Sequence, residues 1–167
     1  YDEAIKIFND ALQKDKNFTT TYLNLAETYQ RKNNLEKTLT YLNQALKIDS
    51  KNSIALNNIA NIYMNQKKYE QALSYYKKSL QHNFSNELIH NNVGLAYERF
   101  SKFKKAIFHY KESLKINPLF YDCQFNLSIL YFKTGQCKKG IQLYDSRFLK
   151  TEKILGDFHK INNYLLN

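Results

Sequence analysis

Apolar and small residues follow two periods along this chain. Over short distances they fall three or four apart, the spacing of one helix face. Ala4, Ile5, Phe8, Ala11 and Leu12 form such a stripe, which predicts a helix over 1–16. Over longer distances the pattern itself recurs every 34 residues. Leu25, Ile59, Val93 and Leu127 hold one register, Ala26, Ala60, Gly94 and Ser128 the next, and Tyr29, Tyr63, Tyr97 and Tyr131 a third. A period of this length marks a stack in which each unit buries its face against its neighbours.

Each unit divides into two helical halves. The breaks fall at Asn33-Asn34, Lys67-Lys68, Ser101-Lys102 and Gly135-Gln136. Asn and Gly tolerate the left-handed backbone of a tight hairpin, and Lys67 fits it less well. The second halves open on Leu35, Tyr69, Phe103 and Cys137, and Cys137 is expected at a core slot as a small hydrophobe. Thr38, Ala72, Ala106 and Gly140 follow three residues later; small side chains there allow close helix approach, from which Thr38 departs mildly. Pro118 closes the third unit, since it lacks an N–H and clashes with the preceding turn.

This spacing resembles the tetratricopeptide repeat, most fully between Glu87 and Pro118, where His90, Val93, Gly94, Tyr97, Ala106, Tyr110 and Pro118 take its signature places. The resemblance implies an all-α, right-handed superhelical solenoid of antiparallel helix pairs. Residues 1–18 then hold the second helix of a partial repeat, followed by repeats at 19–52, 53–86 and 87–120 and a divergent one at 121–154. Residues 155–167, with Phe158, Ile161, Tyr164 and Leu165 at helical spacing, are expected to cap the end. The segment Gly140–x3–Tyr144–x2–Arg147 resembles the last repeat of some bacterial proteins associated with glycosyltransferases. The chain opens in mid-pattern, so it reads as a piece of a longer protein.

Composition adds little to the fold and more to the choice of partner. No run of 18 apolar residues offers a membrane span. The net charge of +10 raises nucleic acid as a partner, but Lys outnumbers Arg 22 to 3 beside abundant Asn, Ile and Tyr, a usage that an AT-rich genome also produces. Lys77, Lys78, Lys104, Lys105, Lys111, Lys138 and Lys139 fall on second helices, where a solvated convex face is expected. Cys123 and Cys137 make no disulfide framework and fit a reduced, cytoplasmic setting.

The search for catalytic chemistry is negative. There is no phosphate loop or nucleophile elbow, and no His has a partner at metal-ligand spacing, so no catalytic residue, metal or cofactor is assigned. His90 takes a packing slot and is expected to be half-buried, and His82 and His109 are expected at the surface, with the histidines lying apart.

The binding search is more productive. Position 6 of the four full repeats is Asn24, Asn58, Asn92 and Asn126. Asn is a poor mid-helix residue because its side chain competes for the backbone, so this placement needs a reason. A carboxamide matches both the N–H and the C=O of an extended peptide. Repeats about 10 Å apart would place one rung per three peptide residues. The ladder is similar to that of the peptide-holding superhelix of O-linked N-acetylglucosamine transferases. The alternative is structural: Asn is common at this slot across the repeat family, and each side chain can bond a neighbouring helix. Asn57, Asn61, Asn91, Arg31, Arg99 and Phe125 lie on the same stripe and complete the candidate site. Its cations Arg31, Arg99 and Lys133 balance Glu27, Glu98 and Asp122, so the groove counts as neutral. The expected function is a non-catalytic module holding a peptide or partner segment. One alternative is the substrate-presenting part of a glycosyltransferase, and another is a basic convex face on nucleic acid or an anionic surface. Nucleic acid is disfavoured because the groove does not concentrate cations, and self-association through the ends is an open possibility.

Overall fold

A computed structural model describes the backbone of residues 1–148 and the side chains of residues 1–144. The expected cap over 155–167, the last residues of the fourth repeat and the side chain of Arg147 lie outside the described residues. The described elements are all helices: α1 (Asp2–Lys14), α2 (Thr19–Arg31), α3 (Leu35–Ile48), α4 (Ser53–Asn65), α5 (Tyr69–His82), α6 (Glu87–Arg99), α7 (Phe103–Ile116), α8 (Tyr121–Lys133) and α9 (Cys137–Phe148). The first helices of successive pairs start 34 residues apart, and so do the second helices. Helices α2/α3, α4/α5, α6/α7 and α8/α9 form hairpins, and each hairpin packs on the next. Helix α1 packs on α2 but buries none of its own residues, so its apolar stripe is only half covered.

The turns follow one local design. Asn33, Lys67, Ser101 and Gly135 all have left-handed backbone, with φ of 54°, 59°, 53° and 73°. Behind them the N–H groups of Asn34, Lys68, Lys102 and Gln136 return to the carbonyls of Tyr29, Tyr63, Tyr97 and Tyr131 at 2.8–3.0 Å. This is the paired bonding that closes a helix through a left-handed residue. At Asn34, Asn52 and Asn86 the side chain then accepts the N–H three residues on, at 3.0 Å, and caps the following helix. A β-carbon in left-handed backbone costs about 1–2 kcal/mol, partly offset by glycine's freedom in the unfolded chain. Lys67→Gly is therefore expected to stabilise the protein by about 0.5–1 kcal/mol, read as a higher urea midpoint at unchanged slope.

The core is a row of repeat-phased side chains. Leu25, Leu42, Ile59, Tyr76, Val93, Tyr110 and Leu130 are fully or almost fully buried. Gly94 makes room for one of them: a β-carbon there would stand 2.5 Å from the Tyr110 ring. Two equivalent serines tie second helices to first ones, Ser79 Oγ donating to Ser53 O at 2.6 Å and Ser113 Oγ to Glu87 O at 2.7 Å. Thr38 is tolerated at its small slot because its hydroxyl donates to Asn34 O at 2.8 Å. Lys37, Lys105 and Lys139 lie over the rings of Tyr29, Tyr97 and Tyr131 at 4.8, 5.6 and 5.7 Å. Part of the basic excess thus covers the outer faces of the repeating tyrosines.

Cys137 departs from expectation. It is exposed, not part of the core. It is the first residue of α9, and Leu35, its counterpart on α3, is likewise 43% exposed. The slot directly follows the hairpin turn, where the start of the second helix is only partly covered. Cys123 is fully buried, and its thiol donates to Tyr110 O at 3.3 Å.

Candidate functional site

Helices α2, α4, α6 and α8 carry Asn24, Asn58, Asn92 and Asn126, and all four side chains are half-buried. Their hydrogen bonding differs. Asn92 Nδ2 donates to Asn57 Oδ1 at 3.2 Å and to Asn61 Oδ1 at 3.1 Å. Asn126 Nδ2 donates to Asn91 Oδ1 at 3.0 Å. Asn61 Oδ1 also accepts the Tyr76 hydroxyl at 2.6 Å. These amides stitch α8 to α6 and α6 to α4. The pairing requires Asn at position 5 of one repeat and position 6 of the next, 35 residues apart. Asn58 has no such partner, because the residue 35 before it is Leu23.

The face carries two cavities. One of 480 Å3 spans α2 and α4 and is lined by Asn24 and Asn58 together, with Leu23, Glu27 and Ile54. A larger one, of 650 Å3, lies between α4 and α6 and is lined by Asn61, Asn65, Asn92, Leu95 and Arg99, reaching Gln30 on α2. Arg31 is held by Glu27 four residues earlier, Nη2 to Oε1 at 2.8 Å. Phe125, at the far end of the face, has its ring centre 6.4 Å from that of Tyr144 and is partly exposed, as are Ile129 and Phe132 beside it. The face is therefore amide-rich in the middle and apolar along α8.

A second cluster differs from expectation. His90 and His109 are neighbours, and His90 is fully buried. His90 Nε2 lies 2.9 Å from Phe84 O, which can only accept, so His90 carries its proton there. Its Nδ1 must then accept from His109 Nδ1, 3.2 Å away. The His109 ring stacks on Tyr97 at 5.5 Å. Burial is the main cause that lowers the pKa of both, and the neighbouring His90 adds to it for His109, which is pushed down to about 4. Among the described residues no three His, Cys, Asp or Glu side chains are grouped to hold a metal. The pair occupies slots 4 and 23 of its repeat, where Tyr22 and Tyr41 also meet in the first full repeat, ring centres 6.3 Å apart. That offset of 19 residues is the signal that could have found it.

Antiparallel helix pairs stacked at a fixed period define a helical repeat solenoid, a class that presents an extended surface to partners. Two family profiles, both described as tetratricopeptide repeat, match residues 53–86, and 19–52 with 89–118. The chain belongs to the tetratricopeptide repeat family and forms a protein-interaction scaffold. No curated protein matches the sequence. Among solved structures, MamA of Desulfovibrio magneticus RS-1 is similar with a TM-score of 0.75 at 14% identity, over 91% of this chain and 87% of that one. PilF of Pseudomonas aeruginosa gives 0.78 at 23% identity, over 85% of this chain and 65% of that one. A human IFIT1 dimer with m7Gppp-AAAA gives 0.73 at 20% identity, over 84% of this chain and 34% of that one. At these identities the likeness establishes the fold alone. Among the described residues no helix is long and apolar enough to cross a membrane.

Proposed function

We propose that the first-helix face is a groove that holds an extended peptide or partner segment by its main chain, through Asn24, Asn58, Asn92 and Asn126. One observation carries the reading. The Asn24 and Asn58 carboxamides are half-buried, line one cavity together, and make no side-chain hydrogen bond among the described residues. A peptide's N–H and C=O groups supply what they lack. Asn92 has both its N–H groups engaged by Asn57 and Asn61, so it offers a peptide only its carbonyl oxygen. Asn91 acts as support, since its oxygen is taken by Asn126. Arg31 and Phe125 flank the line of amides, one paired with Glu27 and the other beside the apolar end on α8.

The test separates binding from stitching. Asn24→Ala with Asn58→Ala removes no internal amide bond and improves helix propensity, so circular dichroism should stay unchanged and the urea midpoint should not fall. Retention of a random decapeptide pool should fall about thirtyfold, because two neutral hydrogen bonds of about 1 kcal/mol each are lost. Equal retention by the parent and the double variant would remove the ladder from the binding element.

A further inference from the structure

We infer that the larger cavity, between α4 and α6, takes an acidic side chain of the bound segment, an Asp or Glu paired with Arg99 and Lys67. This inference rests on the peptide-binding reading of the groove.

By sequence, the charges along this face cancel. Pairing is a different matter, because two of the three carboxylates on the face are engaged away from Arg99. Glu27 is held by Arg31, and Glu98 Oε2 accepts the Tyr110 hydroxyl at 2.6 Å. Arg99 occupies the repeat slot of Arg31, but four residues before it stands Leu95 where Glu27 stands for Arg31. Among the described residues the ion pairs are Arg31–Glu27, Lys32–Asp2 and Lys115–Glu112, and neither Arg99 nor Lys67 belongs to any of them. Both line the 650 Å3 cavity, and no Asp or Glu does.

The backbone points the same way. At the equivalent turns, left-handed geometry falls on Asn33 and Gly135, which suit it, and on Ser101 and Lys67, which suit it less; of these last two only Lys67 lines the cavity. A residue kept in a costly conformation beside a cavity is a candidate for function. The walls complete the fit. Met64, Tyr69, Tyr76 and Leu95 line the same cavity and give the stem of an acidic side chain apolar surface to lie on. The planar guanidinium of Arg99 can grip a carboxylate with two parallel N–H groups, and the Lys67 ammonium adds a point charge.

The experiment uses two random decapeptide pools, amidated at the C-terminus so that no terminal carboxylate competes. One pool has Glu fixed at its centre and the other Gln. The parent chain should bind the Glu pool about tenfold more tightly, a difference of about 1.4 kcal/mol. Lys67→Gly combined with Arg99→Gln should erase that preference, so that the two pools bind alike, and binding of the Gln pool by this variant shows that its groove is intact. Lys104→Gln combined with Lys111→Gln removes the same charge from exposed positions on α7 and should leave the preference unchanged. Equal binding of the two pools by the parent, or a preference that survives Lys67→Gly with Arg99→Gln, overturns the inference and leaves the peptide groove standing. Failure to bind either pool overturns both.

Discussion

Tyr110→Ala is expected to lower the free energy of unfolding by about 3–5 kcal/mol, the cost of emptying a large core site. The ring is 0% exposed, and it occupies space left by the missing side chain of Gly94, so it closes the α6/α7 hairpin at its narrowest point. The residue also binds outward: its hydroxyl donates to Glu98, and its carbonyl accepts the Cys123 thiol of the next repeat. In a stack, stability is the sum of unit and interface terms, so a loss in the third repeat weakens both of its neighbours. Urea unfolding should show a lower midpoint and a broader transition, as cooperativity along the stack weakens. Tyr110→Phe keeps the ring and loses only the hydrogen bond, so it should cost about 1 kcal/mol. Near-equal costs for the two variants would place the energy in the hydroxyl and refute the packing account.

The parts of this fold that were legible in the sequence are those fixed within one repeat. Left-handed Asn33, Lys67, Ser101 and Gly135 stand at the breaks read from composition, and Gly94 and Ala106 are small where close approach requires it. Relations between helices were harder to read. The His90–His109 contact joins residues 19 apart, a separation that matches no single-helix period. The stitching of Asn92 to Asn57 and of Asn126 to Asn91 needs an offset of 35, one more than the repeat, so no single register of the repeat reveals it. Charge misled for a related reason. A sum over Arg31, Arg99, Glu27 and Glu98 gives zero, but only the geometry shows that Glu98 is turned to Tyr110 and that Arg99 is left without an acid. Cys137 read as core because its slot was apolar elsewhere, although a helix-start position beside the hairpin turn is only partly covered.

The histidine pair makes stability depend on pH in a range that lies mostly above that of ordinary carboxylates. In the unfolded chain both histidines protonate near pH 6.5. In the folded chain His109 does so only near pH 4, and His90 also lies below its ordinary value. Burial is the main cause for each. His90 and Lys77 oppose a charge on His109, and Glu112 favours one on either ring without reversing the shift. Between the two pKa values the unfolded state binds more protons, so stability rises with pH. The contribution is complete above the unfolded value and is lost as pH falls through the folded one. For His109 the full loss is about 3 kcal/mol, of which about 2 kcal/mol should disappear between about pH 7 and pH 5. Urea midpoints at those two values measure it. His109→Gln, which cannot titrate, should flatten the dependence and leave only the share of His90. An unchanged slope in that variant would mean that the buried pair is not what responds to acid. A slope of opposite sign in the parent would mean that Glu112 holds a proton on the pair in the folded state.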